Sequence, residues 1–389
     1  MIRRRSTSSR PTSNQTLALA AVGILAVFGC IFLFTGLDPL GMFGSSTPDP
    51  ILPAEPGSQA AWQVYFTDPS RVNNPDDLTG SLPEKLIGYI NSAQTSIHIA
   101  AFEFNLTPVA EALVAAYRRG VDVRWVTDDE NGLLQDGEEG HGQFAILLEA
   151  GIPVRDDSRG ALMHNKFWIF DGQIVWTGST NITKNDNFRN NNNLIIVQSA
   201  ALAAIYEREF TEMWEGEFGP RSPSTVDQQS ITVDGIPIQV YFAAEDEVMQ
   251  KIIPLVEQAD QSIRFMAFSF THDGLTQAML ERAGAGVEVQ GIFETRGSET
   301  QFSALRPLLC AGLPVRQDGN PGTFHHKVIV LDEETVITGS LNFSANADES
   351  NDENTLIITS QQVAGLYYEE FQRRWQEAAS LDVNQFQCE

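Results

Sequence analysis

The stretch His164 to Asn181 reads H-N-K-F-W-I-F-D-G-Q-I-V-W-T-G-S-T-N. It returns at His325 to Asn342 as H-H-K-V-I-V-L-D-E-E-T-V-I-T-G-S-L-N, so the pattern H-x-K-x4-D-x6-G-S-x-N occurs twice without a gap or mismatch. Between the fixed residues lie short apolar runs: Phe167 to Phe170 and Ile174 to Trp176 in one copy, Val328 to Leu331 and Val336 to Ile337 in the other. Such runs, broken by Asp-Gly or Glu-Glu, predict two buried strands joined by a hairpin turn. His and Lys, two apart, leave one strand on the same face. Gly-Ser ends the second strand, where a small residue lets the backbone approach a ligand.

The repetition extends well beyond these stretches. Gln63-Val64-Tyr65-Phe66 returns as Gln239-Val240-Tyr241-Phe242, and Ala101-Phe102-Glu103-Phe104 as Ala267-Phe268-Ser269-Phe270. Gly120-Val121-Asp122-Val123 matches Gly286-Val287-Glu288-Val289, and Gly151 to Arg155 matches Gly312 to Arg316. Phe210 and Trp214 return as Phe371 and Trp375. The same order in both halves identifies a duplication. Within each half strands alternate with helices. In the first, Ser96–Phe104, Val121–Val126, Pro153–Arg155 and Leu194–Gln198 read as strands, and Val109–Arg119, Gln143–Ala150 and Ala200–Glu215 as helices. The class is α/β, an α/β sandwich in each half. The halves span 59–219 and 237–380, with a Pro/Ser/Gln linker at 220–236 and a tail at 381–389. Ala101 to His164 is 63 residues against 58 from Ala267 to His325, so the first half carries an insertion, read as the acidic, glycine-rich loop Asp128 to Gly142 on the surface.

The doubled pattern resembles the paired HKD signature of the phospholipase D superfamily. That resemblance implies two halves packed with pseudo-twofold symmetry, so that His164, Lys166, His325 and Lys327 converge on one phosphate. Lys166, Lys327, Asn181 and Asn342 would neutralise the non-bridging oxygens of a phosphodiester transition state, and Ser179 and Ser340 could add hydroxyls. With two cations in that role no metal and no cofactor is required. One imidazole would attack phosphorus and the other would protonate the leaving alcohol. Eleven residues beyond the fixed Asn the family commonly carries an acid that orients the histidine. The second half has Glu353 there; the first departs, with Asn192. Pairing Glu353 with the histidine of its own half assigns His325 as general acid and His164 as nucleophile. Asp171 and Asp332, the remaining motif residues, read as structural partners of turn or Lys groups. His326 and His98 read as structural, and of His141 and His272 only His272 is expected near the mouth of the site.

Charge and targeting narrow the substrate. Arg3, Arg4, Arg5 and Arg10 precede the uncharged run Leu17 to Leu37, about 31 Å long if helical, which predicts a transmembrane anchor within residues 1–37 and a catalytic part outside the cell membrane. Residues 38–58, with five prolines, read as a stalk. The rest is strongly acidic, in a chain of net charge −26. Acidity disfavours nucleic acid and anionic lipid surfaces. The first reading is therefore a monomeric, membrane-anchored enzyme acting on phospholipid head groups. A nuclease of the same superfamily and a non-catalytic phosphoryl-binding module are the alternatives. Cys310 and Cys388 either form a disulfide or stay apart as a buried thiol and a tail thiol.

Overall fold

The computed structural model describes residues 61–69, 77–222, 229–386 and 388. The expected anchor at Leu17 to Leu37 and the stalk lie outside the described residues. Among the described residues no helix is long and apolar enough to cross a membrane.

The first half is built on strands β1 (Trp62–Phe66), β2 (Ser96–Ala101), β3 (Asp122–Thr127), β4 (Val154–Asp156), β5 (Lys166–Phe170), β6 (Ile174–Gly178) and β7 (Asn193–Gln198). They form one sheet in the order β1-β7-β6-β5-β2-β3-β4. The second half has β8 (Ser230–Val233), β9 (Ile236–Ala243), β10 (Ser262–Ala267), β11 (Glu288–Phe293), β12 (Val315–Gln317), β13 (Lys327–Leu331), β14 (Thr335–Gly339), β15 (Glu353–Thr359) and β16 (Ala379–Ser380). Their order, β16-β12-β11-β10-β13-β14-β15-β9-β8, repeats that of the first sheet with one strand added at each edge. The duplication seen in the sequence is therefore a duplication of topology. One boundary differs from expectation, and of the two readings of Cys310 and Cys388 the structure shows the disulfide. Residues 230–233, read as linker, form β8 because they pair antiparallel with β9. The tail is tied back by a Cys310–Cys388 disulfide across 78 residues.

Both faces of each sheet are covered, which is why the motif strands are continuous apolar runs rather than alternating ones. Along β5, Phe167 and Ile169 join a core shared by the two halves, while Trp168 and Phe170 join the first half's own core. Along β13, Val328 and Val330 face the shared core, and Ile329 and Leu331 the second half's own. Two long helices supply the remainder of the shared core. Ala200–Glu215 buries Leu202, Ala203, Tyr206, Phe210 and Met213, and Gln361–Glu377 buries Val363, Ala364, Tyr367 and Phe371, both at helical spacing. Each helix begins at a serine, Ser199 or Ser360, whose hydroxyl accepts a backbone N–H of the first turn. Tyr206 stands edge-on between Phe167 of its own half, at 4.9 Å, and Phe242 of the other, at 5.3 Å. Such pairs add about 0.5–1.5 kcal/mol each beyond their burial. The halves are thus fused by a continuous aromatic core and cannot swing apart like hinged domains.

Candidate active site

Each motif histidine sits just before a sheet strand, in a segment that pairs with the other half. His164 donates its backbone N–H to the Asp352 carbonyl at 2.9 Å, and Asp352 returns one to the Leu162 carbonyl at 2.9 Å. The second half mirrors this: His325 N–H to Asn191 carbonyl at 2.9 Å, and Asn191 N–H to Thr323 carbonyl at 2.8 Å. These two short bridges carry the residues at the start of β15 and β7 across the interface. Glu353 therefore reaches His164, its carboxylate accepting from Nδ1 at 2.7 and 2.9 Å. Asn192 reaches His325, its Oδ1 lying 2.9 Å from Nδ1. The expectation that Glu353 serves the histidine of its own half is overturned: the orienting residues are exchanged between halves, because the backbone bridges are.

His164, Lys166, His325 and Lys327 converge as expected. All four are buried, and each histidine lies within the electrostatic field of Lys327 and of Lys166. The lysine Nζ atoms donate to the carbonyls of their own motif histidines, Lys166 at 2.7 Å and Lys327 at 3.0 Å. Phe102 and Phe268, equivalent residues of the A-F-x-F repeats, complete the pairing. Each ring stands edge-on to its histidine at 4.8 Å and under its lysine, at 4.9 Å for Lys166 and 4.8 Å for Lys327. Burial pushes every one of these cations towards its neutral form. Lys166 is lowered to about 8, and Lys327 well below its ordinary value, with repulsion from Lys166 adding to burial. His164 is lowered from 6.5 by burial, opposed by Glu353, while His325 is lowered further by burial and by Lys327. A site that depresses four cations chiefly by burying them, with mutual repulsion added at His164, His325 and Lys327, is one that an anion would relieve.

Against His325 opens a cavity of about 480 Å³, lined also by Asn181 and Phe268 and by the charged side chains Glu103, Asp186, Glu294 and Arg296. Burial, then repulsion from Asp186, raises Glu103 to about 7. The side-chain oxygens of Asn181 and Asn342 are buried without a partner in both copies. Orphaned amides at equivalent motif positions, Asn181 among them lining the cavity, are what a bound polar ligand would satisfy, by oxygen or, with the amide turned over, by nitrogen.

Other expected residues stand elsewhere. The Ser179 hydroxyl donates to Asn192 Oδ1 at 2.8 Å and accepts from Asn193 N–H at 3.0 Å, and Ser340 accepts from Asn354 N–H at 3.0 Å. Both serines are fully buried and hold the crossing segments rather than presenting hydroxyls to a phosphate. Asp171 and Asp332 lie at the far ends of β5 and β13. Asp171 accepts from the backbone of Gln94, Thr95 and Ser96, and Asp332 from that of Asp260, Gln261 and Ser262, which keeps both carboxylates ionised. They staple the hairpins and take no part in the site. His272 caps the helix Asp273–Gly284 through Nδ1, whereas His141 and Gln135 of the insertion line the cavity, reversing the expectation for that loop. His98 is engaged with Glu207 at 2.6 Å and stacks on Phe210, and His326 accepts from Asn193 and faces Glu370, so both are structural. Asp128, Asp129 and Asp157 bring carboxylate oxygens within 4.8 Å of one another beside the insertion. The oxygens of Asp128 and Asp157 are engaged by Asn131, Met163 N–H, Asp129 N–H and Arg159, whereas Asp129 Oδ1 is buried without a hydrogen-bond partner.

Comparison with known proteins fits this geometry. A family model described as "Cardiolipin synthase, PLD-like domain" matches residues 86–214 and again 252–375. The mitochondrial cardiolipin hydrolase of Xenopus tropicalis is 35% identical over 132 residues, 34% of this chain and 63% of that protein. A phospholipase D of Rickettsia conorii is 35% identical over 119 residues, 31% of this chain and 60% of that one. The chain thus spans about three fifths of the length of these relatives. The solved phosphatidylserine synthase of Haemophilus influenzae Rd KW20 superposes with a TM-score of 0.63 over 84% of this chain and 89% of that one; at 16% identity it speaks for the fold alone. With the one family model matched separately by each half, over more than half of the chain in all, the chain belongs to the phospholipase D superfamily.

Proposed function

We propose that this chain is a membrane-anchored phosphodiesterase of the phospholipase D type, which hydrolyses a phospholipid at its head group through a phosphohistidine. The observation that carries this reading is the convergence of two buried His–Lys pairs, each backed by a polar partner from the opposite half, beside a cavity that His325 lines. Relatives named as cardiolipin hydrolase and phospholipase D support a lipid phosphodiester as substrate. The acidic chain and a cavity lined by Glu103, Asp186 and Glu294 favour a head group carrying a cation, such as choline or ethanolamine. Leu17 to Leu37 would hold the catalytic part beside its substrate, outside the cell membrane.

His164 is the nucleophile in this mechanism. Glu353 accepts its Nδ1–H, which leaves the lone pair on Nε2. Attack forms the N–P bond and makes the ring a cation, and the adjacent carboxylate stabilises that cation throughout the life of the intermediate. His325 donates its proton to the head-group oxygen as the P–O bond breaks. Backed by a neutral amide and crowded by lysines, its imidazolium is a strong acid that parts readily with the proton. Water then gives a proton to His325 and attacks phosphorus, the N–P bond breaks, and the phosphate monoester departs. The lysines and the Asn181 and Asn342 amides hold the non-bridging oxygens. The proposed roles are those expected from the sequence, argued from the opposite ground: the carboxylate marks the nucleophile.

The test is the full chain in detergent with chelator present, given phosphatidylcholine vesicles and single-stranded DNA in parallel. Choline release without DNA cleavage is expected, with phosphate trapped by acid quench on His164. Cleavage of DNA alone would replace this reading with the nuclease. Activity lost in chelator and restored by calcium would return the Asp128, Asp129 and Asp157 carboxylates to the mechanism.

A further inference from the structure

The two histidine partners differ in charge, and a second difference in the same loops runs the opposite way. Position 192 is Asn and its equivalent 353 is Glu; six residues earlier, position 186 is Asp and its equivalent 347 is Ala. At these two paired positions each half therefore carries one acid, at different places. Asp186 is buried, and its Oδ1 receives Asn192 Nδ2 at 3.1 Å, while its backbone carbonyl receives the same Nδ2 at 3.0 Å. The other end of that amide, Oδ1, faces His325 Nδ1 at 2.9 Å and accepts the Ser179 hydroxyl at 2.8 Å. Asp186 Oδ1 itself lies 3.7 Å from His325 Nδ1. No equivalent group can stand behind Glu353, because residue 347 ends at Cβ.

We propose that Asp186 is the carboxylate partner of His325, acting through the Asn192 amide as a positioning residue. The proposal rests on the reading of His325 as general acid. With both Nδ2 hydrogens drawn to Asp186, the amide must present oxygen to the imidazole, so Nδ1 carries hydrogen and Nε2 faces the cavity. The carboxylate lies close enough to favour the imidazolium without bonding to it. The groups opposing it are Lys327, Lys166, His164 and His326, all of which act to discharge His325. Glu103 and Glu294 line the same cavity. The arrangement gives His325 an acid that is stronger than an imidazolium bonded directly to a carboxylate, yet still able to reload its proton from water. His164, which must bear a full positive charge while phosphorylated, has the direct contact instead.

Two variants test it. Asp186→Asn keeps the shape and removes the charge. Titration of His325 by ¹⁵N NMR should show its pKa shifted down. Turnover of phosphatidylcholine should fall about tenfold or more, while a nitrophenyl phosphodiester, whose leaving group needs no proton, should be nearly unaffected. The exchange Asp186→Ala with Asn192→Glu reproduces the pattern of the second half, a carboxylate directly on the imidazole, and should raise the His325 pKa to the parent value or above it and recover much of the turnover. An unshifted His325 in Asp186→Asn, or an exchange variant that folds but restores neither quantity, overturns the proposal. If His325 shifts but both substrates slow equally, the coupling stands and the general-acid assignment falls. If Asp186→Asn fails to fold, the exchange variant decides alone, by the same two readouts.

Discussion

In the proposed mechanism Glu353 is the residue on which the chemistry turns, because it is the charge that opposes the desolvation of His164. Burial lowers His164 from 6.5 and Glu353 raises it again, so Glu353→Gln should let His164 lose its proton at a lower pH. In the proposed mechanism His164 acts neutral and His325 protonated. Rising pH therefore removes activity by deprotonating His325, and falling pH removes it by protonating His164. Since both histidines lie below 6.5 in the free site, kcat/KM should peak on the acid side of that value. Because His325 is lowered further than His164, the upper of the two titrations belongs to His164, and Glu353→Gln should bring the high-pH limb down. It should also slow the natural and the nitrophenyl substrates alike, about a hundredfold, because it serves the nucleophilic step common to both. Loss confined to the natural substrate, or a limb that moves up, would show that Glu353 serves the leaving group instead.

At the scale of the elements, the strand ends before the crossing segments leave no slack. Gly178 closes β6, and a Cβ built there would run into the Asn193 carbonyl and the Leu194 Cα, both backbone. Gly339 meets Asn354 in the same way. Neither neighbour can give without displacing the segment that carries Asn192 or Glu353. Gly178→Ala should cost about 1–3 kcal/mol in stability and reduce activity further than that alone would, by moving Ser179 off Asn192. Gly88, exposed within the helix Leu82–Ser92, has nothing within 4 Å of an added Cβ. Gly88→Ala should stabilise by about 0.5–1 kcal/mol with activity unchanged. Thermal unfolding of the two variants side by side checks the contrast. Equal effects would mean that the strand end accommodates a side chain after all.

Across the whole molecule, the two halves share a buried carboxylate pair as well as an aromatic core. Glu209, on the helix Ala200–Glu215 of the first half, hydrogen-bonds with Glu245, which follows β9 of the second. Burial raises Glu209 well above the ordinary 4.5, and burial, then the neighbouring Asp246 and Glu212, raises Glu245 to about 8. An acid raised on folding holds its proton more tightly in the native state. Its contribution is full below 4.5 and is lost as pH climbs towards 8. Glu245→Gln, which stays neutral at any pH, should therefore unfold at a higher temperature than the parent near pH 8.5, with the gap closing near pH 5. A gap of the same size at both pH values would remove the buried pair from the pH dependence.

The sequence by itself determined the duplicated α/β architecture, the strands of the motif and the identity of its four cations, whose convergence only the family resemblance implied. These follow from local periodicity and from a spacing printed twice in one chain, which no tertiary contact could alter. It also marked Asp171, Asp332, His98 and His326 as structural. It did not determine which half serves which histidine. The bridges Met163 to Asp352 and Asn191 to Phe324 pair residues far apart in the chain, and only the packing of the halves creates them. For the same reason Asp186 and Glu103 went unread, although aligning the two copies exposes each as an acid facing Ala347 or Ser269. Whether the acidic insertion lay on open surface or against the cavity was likewise a tertiary matter, since composition reports solvation and not direction. Where a side chain faces its own strand, the pattern of the chain fixes it; where it faces the other half, only the closed interface does.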